Sequence, residues 1–252
     1  MEVHHSHHPS HKKKWSEYLL EFLMLFLAVF MGFLAENIRE DIGDRRKEKQ
    51  YIESLVSDLK NDTTAINECT QQNFKFLTGQ DSLTDVLNNL HDTTGKTRLC
   101  YHYFGLYTLS ISTAQFNDRT MSQLLNAGNM RLIEEPGISD SIMNYNSIVK
   151  VVAKQQQAYE EYSKKLVDLS TSIFDITTAR SSFRPSTLSP SVAQNNPLKL
   201  LTTDAPALKK YVIGLTISEG IEQAYVQLLD EAKSMAAKLI TVLEKEYNLK
   251  DQ

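Results

Sequence analysis

The chain has 252 residues, 41% hydrophobic and 23% charged, a balance ordinary for folded protein and long enough for a substantial core. A formal net charge of −4 leaves no basic footprint for nucleic acid. Two cysteines, Cys69 and Cys100, are too few for a disulfide scaffold and lack the spacing of a zinc site, although one bridge is open to them in an oxidising compartment.

Residues 1–14, MEVHHSHHPSHKKK, hold five of the seven histidines and almost nothing that could pack. They read as a solvated, disordered tail; weak binding of a transition metal is the alternative. Residues 15–35 then read as one transmembrane helix. From Tyr18 to Ala35 the stretch is apolar except for Glu21, and at about 1.5 Å per residue it spans roughly 27 Å. Its Leu, Phe and Val residues favour insertion by about 3 to 7 kcal/mol together, against a cost of at most about 3.5 kcal/mol for the acid. Glu21 also lies within a turn or so of Trp15 and Tyr18, where its carboxylate reaches the headgroups. A cut after Ala35 would put the bulky Phe33 where a signal peptidase needs a small residue, so the reading is an uncleaved anchor rather than a signal sequence.

Orientation is less one-sided. Lys12, Lys13 and Lys14 precede the span, but Arg39, Arg45, Arg46, Lys47 and Lys49 follow it, interleaved with Glu36, Glu40, Asp41, Asp44 and Glu48. The expectation is a cytoplasmic N-terminus and an exported C-terminal domain. Residues 36–50 read as a charged helical stalk, and residues 51–252 as a helical bundle domain. In that domain Ile52, Leu55, Val56, Leu59, Ile66 and Cys69 give one buried stripe at three- and four-residue spacing. The first break falls at Thr78-Gly79, with a short helix over Ser82 to Leu90.

The stretch RLCYHYFGLYTLSIST suits a strand by its aromatic and β-branched residues. Leu99, Tyr103, Leu106 and Leu109 also fit a helix face, and helix is chosen because no partner strand is evident. Asn117 or Asp118 caps a helix through Leu124-Leu125, ended by Gly128 in a left-handed conformation. Ser139 caps a long helix to about Ala179. Residues 181–206 carry four prolines and form a connection. Asp204 caps a last helix with Pro206 in its first turn, lined by Val212, Leu215, Ile221, Tyr225, Leu228, Ala232, Met235, Leu239, Val242 and Leu243 and open to a kink at Gly214 and Gly220. The fold predicted is all-α: one transmembrane helix continuing into an elongated, antiparallel, four-helix-like bundle.

The quoted stretches WSEYLLEFLMLFLAVFMGFLAENIRE, EKQYIESLVSDLKND and FNDRTMSQLLNAGNMRLIEE resemble a family of short, uncharacterised single-pass membrane proteins of Bacteroidota, over about a quarter of the chain. The resemblance implies an inner-membrane anchor with an exported, periplasmic helical domain. It implies no activity, and the His-rich tail departs from the family pattern.

Candidate chemistry is sparse. Cys100 and His102 stand two apart, on different sides of a helix, with no third group to orient the histidine. Glu160, Glu161, Glu244 and Glu246 run with lysines, as a solvated face does. Tyr145, Tyr159, Tyr162, Tyr211 and Tyr225 read as core with hydroxyls at the bundle edge, a ligand cavity being the alternative. Glu21, Ala28, Gly32 and Ala35 share one face of the span, and Ala28 with Gly32 would let two helix backbones approach. If the short helix Ser82 to Leu90 folds back and the next helix starts near Thr97, Cys69 and Cys100 can meet within the Cα separation of about 4.4 to 6.8 Å that a disulfide needs; a continuous hairpin leaves them far apart.

These features predict a non-enzymatic anchored interaction or scaffold protein of the envelope. Its expected partners are the lipid bilayer and a second copy or another membrane protein, with no nucleic acid and no cofactor. The alternative is a ligand-sensing exported bundle of the chemoreceptor kind, against which stands the lack of a second apolar segment up to Gln252.

Overall fold

The computed structural model describes residues 14–90, 93–126, 128–177 and 199–249. The predicted tail, apart from Lys14, and residues 181–198 of the predicted connection lie outside them. Among the described residues there are five α-helices and no strand: α1 (Trp15–Asn88), α2 (Thr93–Tyr107), α3 (Arg119–Asn126), α4 (Pro136–Ser170) and α5 (Ala205–Glu246). A 3-10 turn, Asn129–Leu132, follows α3. The fold is all-α. The chain divides into two compact units at Gln50/Tyr51, inside α1.

In the first unit, α1 holds the one candidate membrane span among the described residues, and none of that apolar window is buried. The flanking residues carry surface ion pairs one turn apart, Arg39 to Glu36 at 2.6 Å and Lys47 to Asp44 at 3.0 Å. Exposed pairs of this kind contribute only about 0.3–0.5 kcal/mol each.

In the second unit, α1 buries Ile52, Leu55, Leu59, Asp62, Ile66, Cys69, Asn73, Phe76, Gln80, Leu83 and Leu87. Those positions alternate by three and four residues without a slip, a 3.5-residue seam of the coiled-coil type. Helix α5 repeats it with Tyr211, Leu215, Ser218, Glu222, Tyr225, Leu229, Ala232, Ala236, Leu239 and Leu243. Of the predicted α5 face only Val242 is corrected, being exposed; Val212, Ile221, Leu228 and Met235 are half-buried and pack against the core at the seam's flank.

The core forms three tiers. In one, Ile52, Leu55 and Leu59 meet Met121 and Leu124 of α3, Ile138 and Ile142 of α4 and Leu239 and Leu243 of α5. At the opposite end Leu83 and Leu87 meet Cys100, Tyr101 and Phe104 of α2, Leu166 of α4 and Tyr211 and Leu215 of α5. The middle tier joins Ile66 and Cys69 to Ala114, Val152, Tyr159, Tyr225 and Leu229. Helices α1 and α4 therefore run the same way and α5 opposes them. The returning member between α1 and α4 is composite: α2, an extended strap over 108–118, then α3.

Three boundaries differ from the sequence reading. Helix α1 continues through Thr78-Gly79 to Asn88, so no separate helix begins at Ser82. Gly79 faces the ring of Tyr107, where a Cβ would meet Cδ2 at 2.0 Å; the glycine serves close approach rather than a turn. Helix α2 stops at Tyr107; Thr108 and Leu109 turn the chain, and the rest of RLCYHYFGLYTLSIST is neither helix nor strand. Helix α4 starts at Pro136, whose fixed φ suits a first turn, and ends at Ser170 rather than near Ala179. As predicted, Asp204 caps α5, its carboxylate accepting from Ala207 N, and Gly128 has φ 67°. Gly214 brings α5 against Leu166 and Leu169 of α4, where a Cβ would meet their methyls at 3.3 and 3.1 Å.

Candidate functional site

The strap sets the chemistry of the middle tier. An extended segment inside a bundle has no helical partner for its amides and carbonyls, and each one left unpaired costs about 1–3 kcal/mol. Side chains from the seams supply the partners. Gln80 Nε2 donates to Tyr107 O at 3.3 Å, and Asn73 Nδ2 donates to Ser112 O at 3.0 Å. Ala114 N donates to Tyr225 Oη at 2.8 Å, Asn117 N to Asp62 Oδ1 at 2.8 Å and Thr120 N to Asp58 Oδ2 at 3.4 Å. Along α1 the partners stand at 58, 62, 73 and 80, with Cys69, whose Sγ lies 3.4 Å from Ser112 O, between them. They form one polar line down the face that receives the strap.

A second layer holds these side chains. Tyr145 Oη donates to Asp62 Oδ2 at 2.7 Å, and Tyr159 Oη donates to Asn73 Oδ1 at 3.1 Å. Tyr159 and Tyr225 stack at 5.6 Å. Gln80 Nε2 also donates to Glu222 Oε2 at 2.9 Å. Burial pushes the Glu222 carboxyl up to about 7, against the donor at Gln80 and the nearby Tyr159 hydroxyl, which pull the other way, with Glu219 beside it adding to the rise. Burial likewise raises Asp62, opposed by its bonds to Asn117 and Tyr145. Burial raises the buried tyrosines too, Tyr101, Tyr145, Tyr159, Tyr211 and Tyr225, so all five are neutral phenols.

The predicted site residues separate. Tyr145, Tyr159, Tyr211 and Tyr225 are core, but their hydroxyls do not sit at the bundle edge: three are bonded inside it, and Tyr211 Oη has no hydrogen-bond partner. Tyr162 is half-buried. The disulfide is corrected: Cys69 and Cys100 are both free and buried. Cys100 packs on Leu83 and Leu87, a rise of about 20 Å or more along α1 from Cys69, because α1 does not fold back at Gly79. Burial pushes the Cys100 thiol up to about 11, while His102 is exposed on the other side of α2. Glu161 and Glu246 are exposed, Glu160 accepts from Gln156, and Glu244 pairs with Lys60 at 2.7 Å. Glu21, Ala28, Gly32 and Ala35 lie on one exposed face of α1, with open space beside Gly32.

The sequence reading missed Asp58, Asp62, Asn73, Gln80 and Glu222. For Asp62, Asn73, Gln80 and Glu222 the signal was positional, each falling in register with the apolar seam, where a solvated polar residue would not; Asp58 stands one residue off it. Among the described residues no group of three or more His, Cys, Asp or Glu side chains is placed to hold a metal ion. Comparison of the chain with protein-family models, curated proteins and solved structures returns no match.

Proposed function

We propose that this protein is a membrane-anchored, non-enzymatic interaction protein of the cell envelope, with a cytoplasmic N-terminus and its bundle on the exported side of the inner membrane. One observation carries the reading. From Trp15 to Leu34 large apolar side chains cover a helix that buries none of them; Trp15 is 82% exposed, Phe22 65% and Leu25 68%. Such a surface is stable in hydrocarbon and a liability in water. The orientation draws on Lys12, Lys13 and Lys14 and on the resemblance to the Bacteroidota family.

The non-enzymatic part is supported by where the reactive groups go. Asp58, Asp62, Asn73, Tyr159 and Tyr225 are committed to strap and core, out of reach of a substrate. An exposed Phe74 stands at a shallow groove with Leu77 and Val226, edged by Asp230 and Glu231. That is a place for a partner to rest rather than a cavity for chemistry.

A phosphatase active only outside the cytoplasm tests the topology: fused at Gln252 it should be active, and fused at Met1 inactive. The reverse pattern overturns the orientation. Association through the span is read by Gly32→Ile. The added side chain has room in the monomer, so a fall in crosslinked dimers in membranes reports separated backbones, and unchanged crosslinking removes that face as the contact.

A further inference from the structure

Gln80 and Glu222 face each other across the α1 and α5 seams, 4% and 0% exposed. One hydrogen bond joins them, Gln80 Nε2 to Glu222 Oε2 at 2.9 Å. The other two oxygens, Gln80 Oε1 and Glu222 Oε1, are both buried and neither has a hydrogen-bond partner. Two acceptors left over on side chains already joined by one bond lack one thing, a proton between them. Tyr159 lies close enough to bear on the carboxylate, but its hydroxyl has a single proton and gives it to Asn73 Oδ1.

We infer that Gln80 and Glu222 form a buried proton-binding site, a carboxylic acid paired with a carboxamide. Glu222 Oε1–H donates to Gln80 Oε1 while Gln80 Nε2–H donates to Glu222 Oε2, closing a ring of two hydrogen bonds. When the proton leaves to water the ring opens, and two acceptors carrying a net negative charge face each other in the middle tier.

The surroundings favour the neutral form. On α5 itself stand Glu219, with a buried, unpaired Oε1, and Tyr225. Helix α1 presents Cys69 and, beside Glu219, Asp81; α4 presents Tyr159, with Glu160 near Tyr225; α2 presents the Tyr107 carbonyl. Among the described residues, the charged groups that bear on Glu222 include no cation. Because Gln80 Nε2 also donates to Tyr107 O, where the strap begins, the site links the proton to the seating of the strap as well as to the α1 and α5 contact. A bundle of this kind responds to the pH of its compartment whether or not it is the exported one, so the inference stands apart from the topology.

Infrared spectroscopy of the full-length protein in lipid nanodiscs tests it. The carbonyl stretch of a protonated carboxylic acid should be present at about pH 6 and gone by about pH 8, and Glu222→Gln should abolish it. That variant replaces the acid with an amide that still pairs with Gln80, so it should fold and lose the pH response. Should it fail to fold, Gln80→Met keeps the length and removes both hydrogen bonds, and the band and its midpoint should shift. No such band, a band with the ordinary carboxylate midpoint, or a band that survives Glu222→Gln or is unmoved by Gln80→Met would overturn the inference. So would a midpoint that moves with sodium or potassium at constant ionic strength, because a metal cation would then fill the proton's place.

Discussion

A Cβ added at Gly79 would stand 2.0 Å from Tyr107 Cδ2 and 2.7 Å from Tyr107 Cβ, so neither ring rotation nor a small shift frees it. Gly79→Ala should therefore lower stability by about 1–2 kcal/mol, the overpacking cost outweighing the gain of up to about 1 kcal/mol in helix propensity. Thermal unfolding checks it, and Tyr107→Gly in the same chain, which removes the Cβ as well as the ring, should make the two losses less than additive. In the sequence the residue looked like a break, because glycine weakens helices in general and the neighbour that requires it is 28 positions away. Glu222 was illegible for a related reason. Acidic residues on helices are ordinarily solvated, and only its register with Leu215, Tyr225 and Leu229 marks it as interior.

At the scale of elements, the strap solves a problem of length. The part of α1 in the bundle rises about 55 Å, whereas α2 and α3 cover only about 22 and about 12 Å; the strap carries the chain from beside Gln80 to beside Asp62, about 27 Å along α1. The long helices were legible because apolar residues repeat at three and four. The strap was not, because Leu106 and Leu109 keep that spacing past the point where the helix ends. What ends it is the set of side-chain partners waiting on α1 and α5, none near in sequence. Tyr225→Phe removes the acceptor of the buried Ala114 amide and should cost about 1–3 kcal/mol. Hydrogen exchange should quicken at Ala114 far more than along α4, and equal acceleration in both would mean that the strap has no stability of its own.

For the bundle as a whole, the carboxyls raised by burial set the direction of its pH response. Glu222 moves from 4.5 to about 7, so the folded state holds its proton more tightly than the unfolded chain does. Its contribution is fully present below about 4.5 and is lost as pH rises through about 7, a change of roughly 3 kcal/mol. Asp62 and Glu219 are raised as well and act in the same direction. Chemical denaturation should show a more stable bundle at about pH 5 than at about pH 8, with most of the difference absent in Glu222→Gln. The strap also has a consequence in time. Its anchor at Tyr225 lies 111 residues beyond Ala114, so a growing chain reaches the amide long before the hydroxyl that satisfies it. The Ala114 amide must wait for α5, whereas the bonds to Asp58, Asp62, Asn73 and Gln80 need only α1; the expected order puts the Ala114 bond after the barrier that commits the helices to pack. Tyr225→Phe should then speed unfolding while leaving the refolding rate nearly unchanged. Until α5 arrives, the strap is held by α1 alone and the Ala114 amide has no acceptor, so the nascent domain carries this late-satisfied amide in the middle of its core.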